Sequence, residues 1–305
     1  MELRQLRYFL VVAEEQHFTR AAERLNMQQP PLSHQIKLLE QELGFALFRR
    51  HPKGAALTAG GLAFRDEAAG ILAGVERAGA RAARAAHGHT GTLSVGFTSS
   101  AVAHPLIPAI MRAFRAAYPD VRLDISEGNA AELTEGVAGG KVNLALLRAP
   151  VSRPPGIAFL RLLEEPLLLI LPIGHALAIP AADGAMPLVS LAALAREEFI
   201  LVRRSGASGM YADLLEACRH AGFVPKIALE VERMLTNISL VAAGAGVSVV
   251  PASMTGFHGD SVAYCRIAPT KPALVAPVTL AVRQASETPI ERNFIDLARA
   301  LSKTE

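Results

Sequence analysis

"TRAAERLNMQQPPLSHQIKLLEQELG", Thr19 to Gly44, sets two adjacent prolines, Pro30 and Pro31, between two stretches of helical spacing. Upstream, Leu3, Leu6, Phe9, Leu10 and Ala13 give a first helix one apolar face. Thr19 is placed to cap a second helix with Ala21, Ala22 and Leu25 inward, and residues 26–28 make the turn that follows. Leu32, Ile36, Leu39 and Leu43 then recur at spacings of 4, 3 and 4, the buried stripe of a third helix, and Gly44 ends it. Pro31 fits the first turn of that helix, where a missing N–H leaves no bond unmade. Pro30 is expected just before the helix, holding the backbone extended. The pair starts the helix abruptly and stiffly.

At about 100° per residue, Pro30, His34, Lys37 and Gln41 point away from the Leu/Ile stripe, with Gln29 and Ser33 on its flank. This face is polar, short and mostly uncharged. Such side chains donate and accept at base edges in a major groove, and a helix-turn-helix presents the N-terminal part of its second helix there. A small three-helix bundle with a solvated face is the plainer alternative, but such a face carries more Glu and Lys and fewer Gln, Ser and His. "RRHPKGAALT", Arg49 to Thr58, reads as a two-stranded wing with Arg49, Arg50 and Lys53 available to phosphates.

The net charge of +3 comes entirely from residues 1–87, which hold 12 Lys/Arg against 9 Asp/Glu. A modest basic excess in that part suits phosphate contact. From Phe64, the positions 64, 68, 71, 75, 78, 82 and 85 are Phe, Ala, Ile, Val, Ala, Ala and Ala, a heptad seam of small residues on one long helix. Gly70, Gly74 and Gly79 weaken it, so it needs a partner to persist. "HGHTG", residues 87–91, is a hinge-like break.

From Thr92 strands alternate with helices. A strand at 92–100, a helix over 103–117, strand "VRLDIS" (121–126), a helical "EGNAAELTEGVAGG" and strand "VNLALL" (142–147) imply a parallel sheet. Their ends bring Thr98, Ser99, Ser100, Asn129 and Arg148 to one edge, the side on which open α/β sheets bind ligands. A second set starts near Glu164: strands "PLLLILP" and "EFILV", the latter leading to Arg203, Arg204 and Ser205, a helix over 208–221, strand "KIALEV", a helix over 232–243 and strand "GVSVVP". The chain returns with "PVTLAVR" (277–283) and closes on a helix from Pro289 to Leu301. Two α/β units joined by two crossings leave a cleft. The Arg148 fork suits a carboxylate, with the hydroxyls at 98–100 and the Asn129 amide beside it, so a small organic anion is expected there. A structural ion pair or surface role for Arg148 stays open, as does a solvated loop at 203–205.

"LRYFLVVAEEQHFTRAAERLNMQQPPLSHQIKLLEQELGFALFRRHPKGAALTAGG" resembles the N-terminal winged helix-turn-helix of LysR-type transcriptional regulators. Family members usually carry a basic residue where this chain has His34. "PIGHALA", "LVAAGAGVSVVPASM" and "LAVR" are similar to the family's effector domain, which resembles periplasmic binding proteins, so the resemblance covers nearly all of residues 1–301. It implies an α/β protein in three parts. Residues 1–58 form the DNA-binding domain and 59–91 the linker/dimerisation helix and hinge. Residues 92–305 form the effector-binding domain, with lobe I at about 92–163 and 268–305 and lobe II at about 164–267. It further implies double-stranded DNA with a dyad-symmetric operator as partner. Self-association is expected, a homodimer at least with a homotetramer preferred, and RNA polymerase is a candidate further partner. "GFTSS" and an Arg at the position of Arg148 are similar to regulators of aromatic-compound breakdown, which implies an aromatic acid or a ring-opened diacid as effector, with no cofactor.

Other classes fit poorly. No G-x-G-x-x-G follows a first strand, and "GAGVS" (244–248) sits after a helix and before a strand, the reverse of the nucleotide fingerprint. "GASG" (206–209) lacks the spacing of a nucleophile elbow. His87 and His89 have no further ligands nearby, and the two cysteines, Cys218 and Cys265, form neither a metal set nor a disulfide framework. No apolar run reaches the roughly 18 residues that span a bilayer. "MELRQLRYF" is unlike a secretory signal, so a cytoplasmic protein without membrane contact is expected.

Overall fold

The computed structural model describes residues 1–52, 54–179, 184–202, 211–284 and 288–303. The chain divides into two compact units, Met1–Ala85 and Ala86–Glu305.

The first unit holds α1 (Leu3–Glu15), α2 (Phe18–Arg24), α3 (Gln29–Leu43), the hairpin β1 (Phe48–His51) and β2 (Gly54–Leu57), and nearly all of α4 (Ala59–Ala86). Leu6, Phe9, Val12, Leu32, Ile36 and Leu39 are fully buried at its centre, each contributing about 1.5–3 kcal/mol of transfer free energy. Phe9 stacks at tilted angles on Phe48 and Phe64, with ring centres 5.5 and 5.3 Å away. The first helix turns Val12 inward and leaves Leu3 exposed, a small rotation from the expected face.

Two local expectations are corrected. His17, not Thr19, caps α2: its ring Nδ1 accepts from the Thr19 N–H at 3.2 Å, and Thr19 lies inside the helix. Pro30 is also inside its helix, because α3 begins at Gln29. Both prolines therefore occupy the first turn, whose N–H groups have no intrahelical acceptor, so neither costs a bond. Gly44 ends α3 in the left-handed region at φ 80°.

The wing is pinned to the helices. Glu40 of α3 accepts from the N–H groups of Leu47 and Phe48 at 2.7 and 3.1 Å, fixing where β1 starts. At Gly54 a Cβ would lie 2.3 Å from the Gln16 carbonyl oxygen, so no other residue fits that turn without moving backbone. Thr58 caps α4 by accepting from the Gly61 N–H at 2.9 Å. Of the heptad seam on α4, Phe64 and Ala68 pack into this unit's own core, while Ile71, Val75 and the alanines 78, 82 and 85 are exposed.

The second unit begins with the expected βαβαβ: β3 (Gly91–Phe97), α5 (Ser99–Val102), α6 (Leu106–Ala117), β4 (Val121–Glu127), α7 (Ala130–Ala138) and β5 (Leu144–Leu147). β3 pairs in parallel with both β4 and β5. The helix expected over 103–117 is α6, which starts only at Leu106 because Pro105 stands at its N-cap, and the strand expected over 92–100 ends at Phe97, with Ser99 and Ser100 opening the short α5 instead. Alternation along β5 serves both faces of the sheet. Leu144 and Leu146 pack under α6 and the final helix α10 (Pro289–Ser302), and Ala145 and Leu147 pack under α7.

The long strand β6 (Ile157–Pro172) organises the rest. Its first ten residues pair antiparallel with β12 (Val275–Arg283), which itself pairs with β5. Its last six carry β10 (Ser248–Pro251) on one side and β11 (Val262–Ile267) on the other. One strand thus runs through two halves, which are lobes about separate cores: one around Phe114 and Phe294, the other around Phe199 and Tyr211. β7 (Leu188–Val189), β8 (Glu198–Val202), β9 (Lys226–Val231), α8 (Ala212–His220) and α9 (Met234–Ala242) complete the second lobe, with β8 and β9 parallel. Residues 208–210 of the helix expected there lie outside the described residues. β11 and the first half of β6 were not legible in the sequence. β11 buries fully only Val262 and Cys265, three apart, so it lacks the alternation that marks a strand.

Candidate functional site

Two surfaces have the composition of sites. On the first unit, the α3 residues Pro30, Pro31, His34, Lys37 and Gln41 are all exposed, and Gln29 and Ser33 are half-buried. The Gln29 amide donates to the Ser33 hydroxyl at 2.8 Å, which aligns the two side chains at the helix start. Arg49 and Arg50 are exposed on β1. The Arg50 guanidinium lies 4.4 Å from the centre of the Phe18 ring, which holds the cation above α2 and limits the rotamers it loses on binding a phosphate. Lys53 lies outside the described residues. The sequence-derived residues described here therefore fall on one helix face and one strand, with their polar groups in solvent.

In the second unit a cleft of about 240 Å³ opens between the lobes. The first lobe contributes Thr98, Ser99, Ser100, Asn129 and Arg148, as the sequence predicts, with Ser152 beside them, and the second lobe contributes Val202, Glu232, Arg233 and Met234. Thr98 caps α5 by accepting from the Ala101 N–H at 3.3 Å, and Ser100 is buried against it. Asn129 caps α7 reciprocally: its Oδ1 accepts from the Glu132 N–H at 2.9 Å and its own N–H donates to Glu132 at 3.0 Å. Of the Asn129 side chain, the cap takes the oxygen, and the residue lines the cleft. Arg203, Arg204 and Ser205 lie outside the described residues.

Arg148 lines the cleft but is not a free fork. It is 4 % exposed. Its Nη1 is 2.6 Å from the carboxylate of Glu165, itself buried on β6. Its Nε and Nη2 donate to the Ser100 carbonyl, and Nη2 donates to the Ser253 hydroxyl at 3.0 Å. Ser253 in turn donates its N–H and hydroxyl to the same carboxylate at 2.6 and 2.7 Å. Burial pulls the guanidinium below its usual range and Glu165 opposes that shift. Removing one partner of such a buried pair costs about 3–5 kcal/mol, whereas an exposed pair is worth about 0.2–1 kcal/mol. Arg148 therefore stands in the cleft wall as expected but with its fork engaged: it ties α5, β6 and the turn after β10 together, the structural alternative. Glu165 and Ser253 carried no sequence signal, because their role depends on β6 passing beneath β5's end.

The sequence matches the family description "LysR substrate binding domain" over residues 86–303 and "Bacterial regulatory helix-turn-helix protein, lysR family" over residues 3–62. The chain is a member of the LysR family. This LysR-family chain is 39 % identical over 305 residues to the uncharacterized HTH-type transcriptional regulator YnfL of Escherichia coli K12, covering 99 % of both chains. It is similar to the crystal structure of CbnR, a LysR family transcriptional regulator, at 32 % identity and TM-score 0.80, covering 98 % of this chain and all of that one. It is also similar to full-length CbnR complexed with its target DNA, at 32 % identity and TM-score 0.77, covering 99 % and 100 %. The LysR-family chain is thus a DNA-binding transcriptional regulator with an effector-binding domain, not an enzyme. No helix among its described residues is long and apolar enough to cross a membrane, and no group of three or more His, Cys, Asp or Glu among them could hold a metal ion.

Arg233 escaped the sequence reading although a signal was present. It follows strand "KIALEV" and opens a helix, the same strand-end position that singles out Thr98 and Asn129.

Proposed function

We propose that this regulator is gated by a small organic anion held between the lobes of its second unit. The observation that carries this reading is the cleft itself: the Ser99 hydroxyl and the Asn129 amide face, across the gap, an arginine of the second lobe, all at strand ends. An aromatic acid or a ring-opened diacid suits a wall that mixes these groups with Val151, Val202 and Met234. A ligand touching both lobes binds one closure better than another and shifts their equilibrium to that extent. The α3 face reads base edges, Arg49, Arg50 and Lys53 hold phosphates, and the exposed small-residue seam of α4 pairs two copies on a dyad site. A thermal-shift screen of the full chain against small carboxylates, their amides and amines tests the effector class. Acids should raise the melting temperature and amides should not. Stabilisation by amines alone, through Glu135 and Glu232 at the cleft, would overturn the anion.

A further inference from the structure

With Arg148 committed to Glu165, the cleft needs another cation if it is to read a carboxylate. Among the described residues that line the cleft, Arg233 is that cation by position. It lies at the N-cap of α9 in the second lobe, lines the cleft, and is about half exposed. Its Nη1 donates at 3.1 Å to Oε1 of Glu127, the last residue of β4 in the first lobe. The pair therefore spans the two lobes at the cleft's mouth, one residue from Gly128 and two from Asn129 of the cleft wall.

The two arginines of the cleft differ in what an incoming anion would have to displace. Arg148 has two protein acceptors, the Ser100 carbonyl and the Ser253 hydroxyl, besides a buried partner, so exchange would strand the Glu165 carboxylate out of water. Among the described residues Arg233 pairs with one exposed carboxylate, whose release returns it to solvent at little cost. Glu127 also presents to Arg233 the same chemical group that a carboxylic-acid ligand would present.

We propose that Arg233 is the carboxylate-reading residue of the cleft and that Glu127 is its resident competitor. With the cleft empty, Glu127 takes the ligand's place on Arg233 and ties the lobes across the mouth. A bound acid exchanges its carboxylate for that of Glu127, so recognition and release of the interlobe tie are one event. No covalent bond changes and no proton moves. This inference rests on the anionic effector proposed above and assigns which side chain reads it.

The test is calorimetry on the full chain with benzoate, 3-phenylpropionate and hexanedioate, each beside its amide, on the wild type and on Glu127→Gln and Arg233→Gln. Removing the competitor should tighten binding of an acid about two- to fivefold, the range of one exposed ion pair. Removing the reader should weaken it at least about tenfold, as for the loss of a charged hydrogen bond. Both variants should melt as the wild type does without ligand, since the pair is exposed. Acids that bind the wild type but bind Glu127→Gln no tighter, or bind Arg233→Gln equally well, overturn this inference and leave the anionic effector standing. Acids that bind neither the wild type nor Glu127→Gln, or amides that bind as well as acids, overturn the anionic effector and this inference together.

Discussion

The outward face of α3 and the wall of the interlobe cleft are both polar surfaces at the start of helices, but their side chains are in opposite states. On the α3 face formed by Gln29, Pro30, Pro31, Ser33, His34, Lys37 and Gln41, the side-chain bond among the described residues is the one from Gln29 to Ser33, and the groups remain available. In the cleft most polar groups already serve the fold: Thr98 and the oxygen of Asn129 cap helices, and Arg148 and Glu165 form a buried pair. The difference teaches that a polar residue at a site is a ligand contact only to the extent that its hydrogen-bonding atoms are not already used. It also separates stability from recognition, because substitutions on the first surface should change affinity alone.

The sharpest way to break this contrast is Arg148→Met. It should lower unfolding stability by about 3–5 kcal/mol in urea titrations, because Glu165 is left buried without its cation. A variant as stable as the wild type that has lost only effector affinity would return Arg148 to the role of a free clamp. On the other side, Ser33→Ala with Lys37→Ala should leave the melting temperature unchanged and cost about 1–3 kcal/mol of affinity for the cognate site. Unchanged footprints would remove the α3 face from the groove. Arg50→Ala should have a smaller effect, about 0.5–1 kcal/mol from the lost stacking on Phe18, and should lower the salt slope of DNA binding by about one counterion, evenly across sequences.

The smallest effect concerns groups that neither surface uses. Cys218 and Cys265 are fully buried in the core around Phe199, and burial pushes both thiols up to about 11. An aromatic disulfide reagent at pH 8 should find no reactive thiol in the native chain and both after denaturation. Since the unfolded thiols ionise near 9 and the folded ones near 11, the unfolded state holds fewer protons between those values. Their contribution to stability is therefore whole below about pH 9 and declines as pH rises toward 11.

What was legible in the sequence followed short-range periodicity. The three helices, the wing, the exposed side of α3 and the strands β3, β4 and β5 depend on spacings of two to four residues, and each is found close to where those spacings put it. Errors of one or two residues arose where the same spacing admits two caps: His17 caps through a ring nitrogen four residues before the inward alanine at 21, and Pro30 is tolerated inside a first turn as well as before it. β11 escaped because a strand covered unevenly on its two faces loses its alternation. The cleft was legible only in part. Strand ends named Thr98–Ser100 and Asn129, but whether a charged group there is free depends on residues far along the chain.

Local geometry is dictated by the chain because backbone sterics act between near neighbours, and this alone determined a proline-started helix with a polar face, a two-stranded wing, a long helix with a seam of small residues, and two sets of α/β elements. The tertiary structure decided which arginine is spent and which is available. β6 brings Glu165 beneath Arg148, and the meeting of two lobes sets Arg233 opposite Glu127, pairings 17 and 106 positions apart that no spacing rule encodes. Burial then fixes the outcome, since a cation taken out of water with its counter-charge cannot be exchanged cheaply, while one left at the cleft's mouth can.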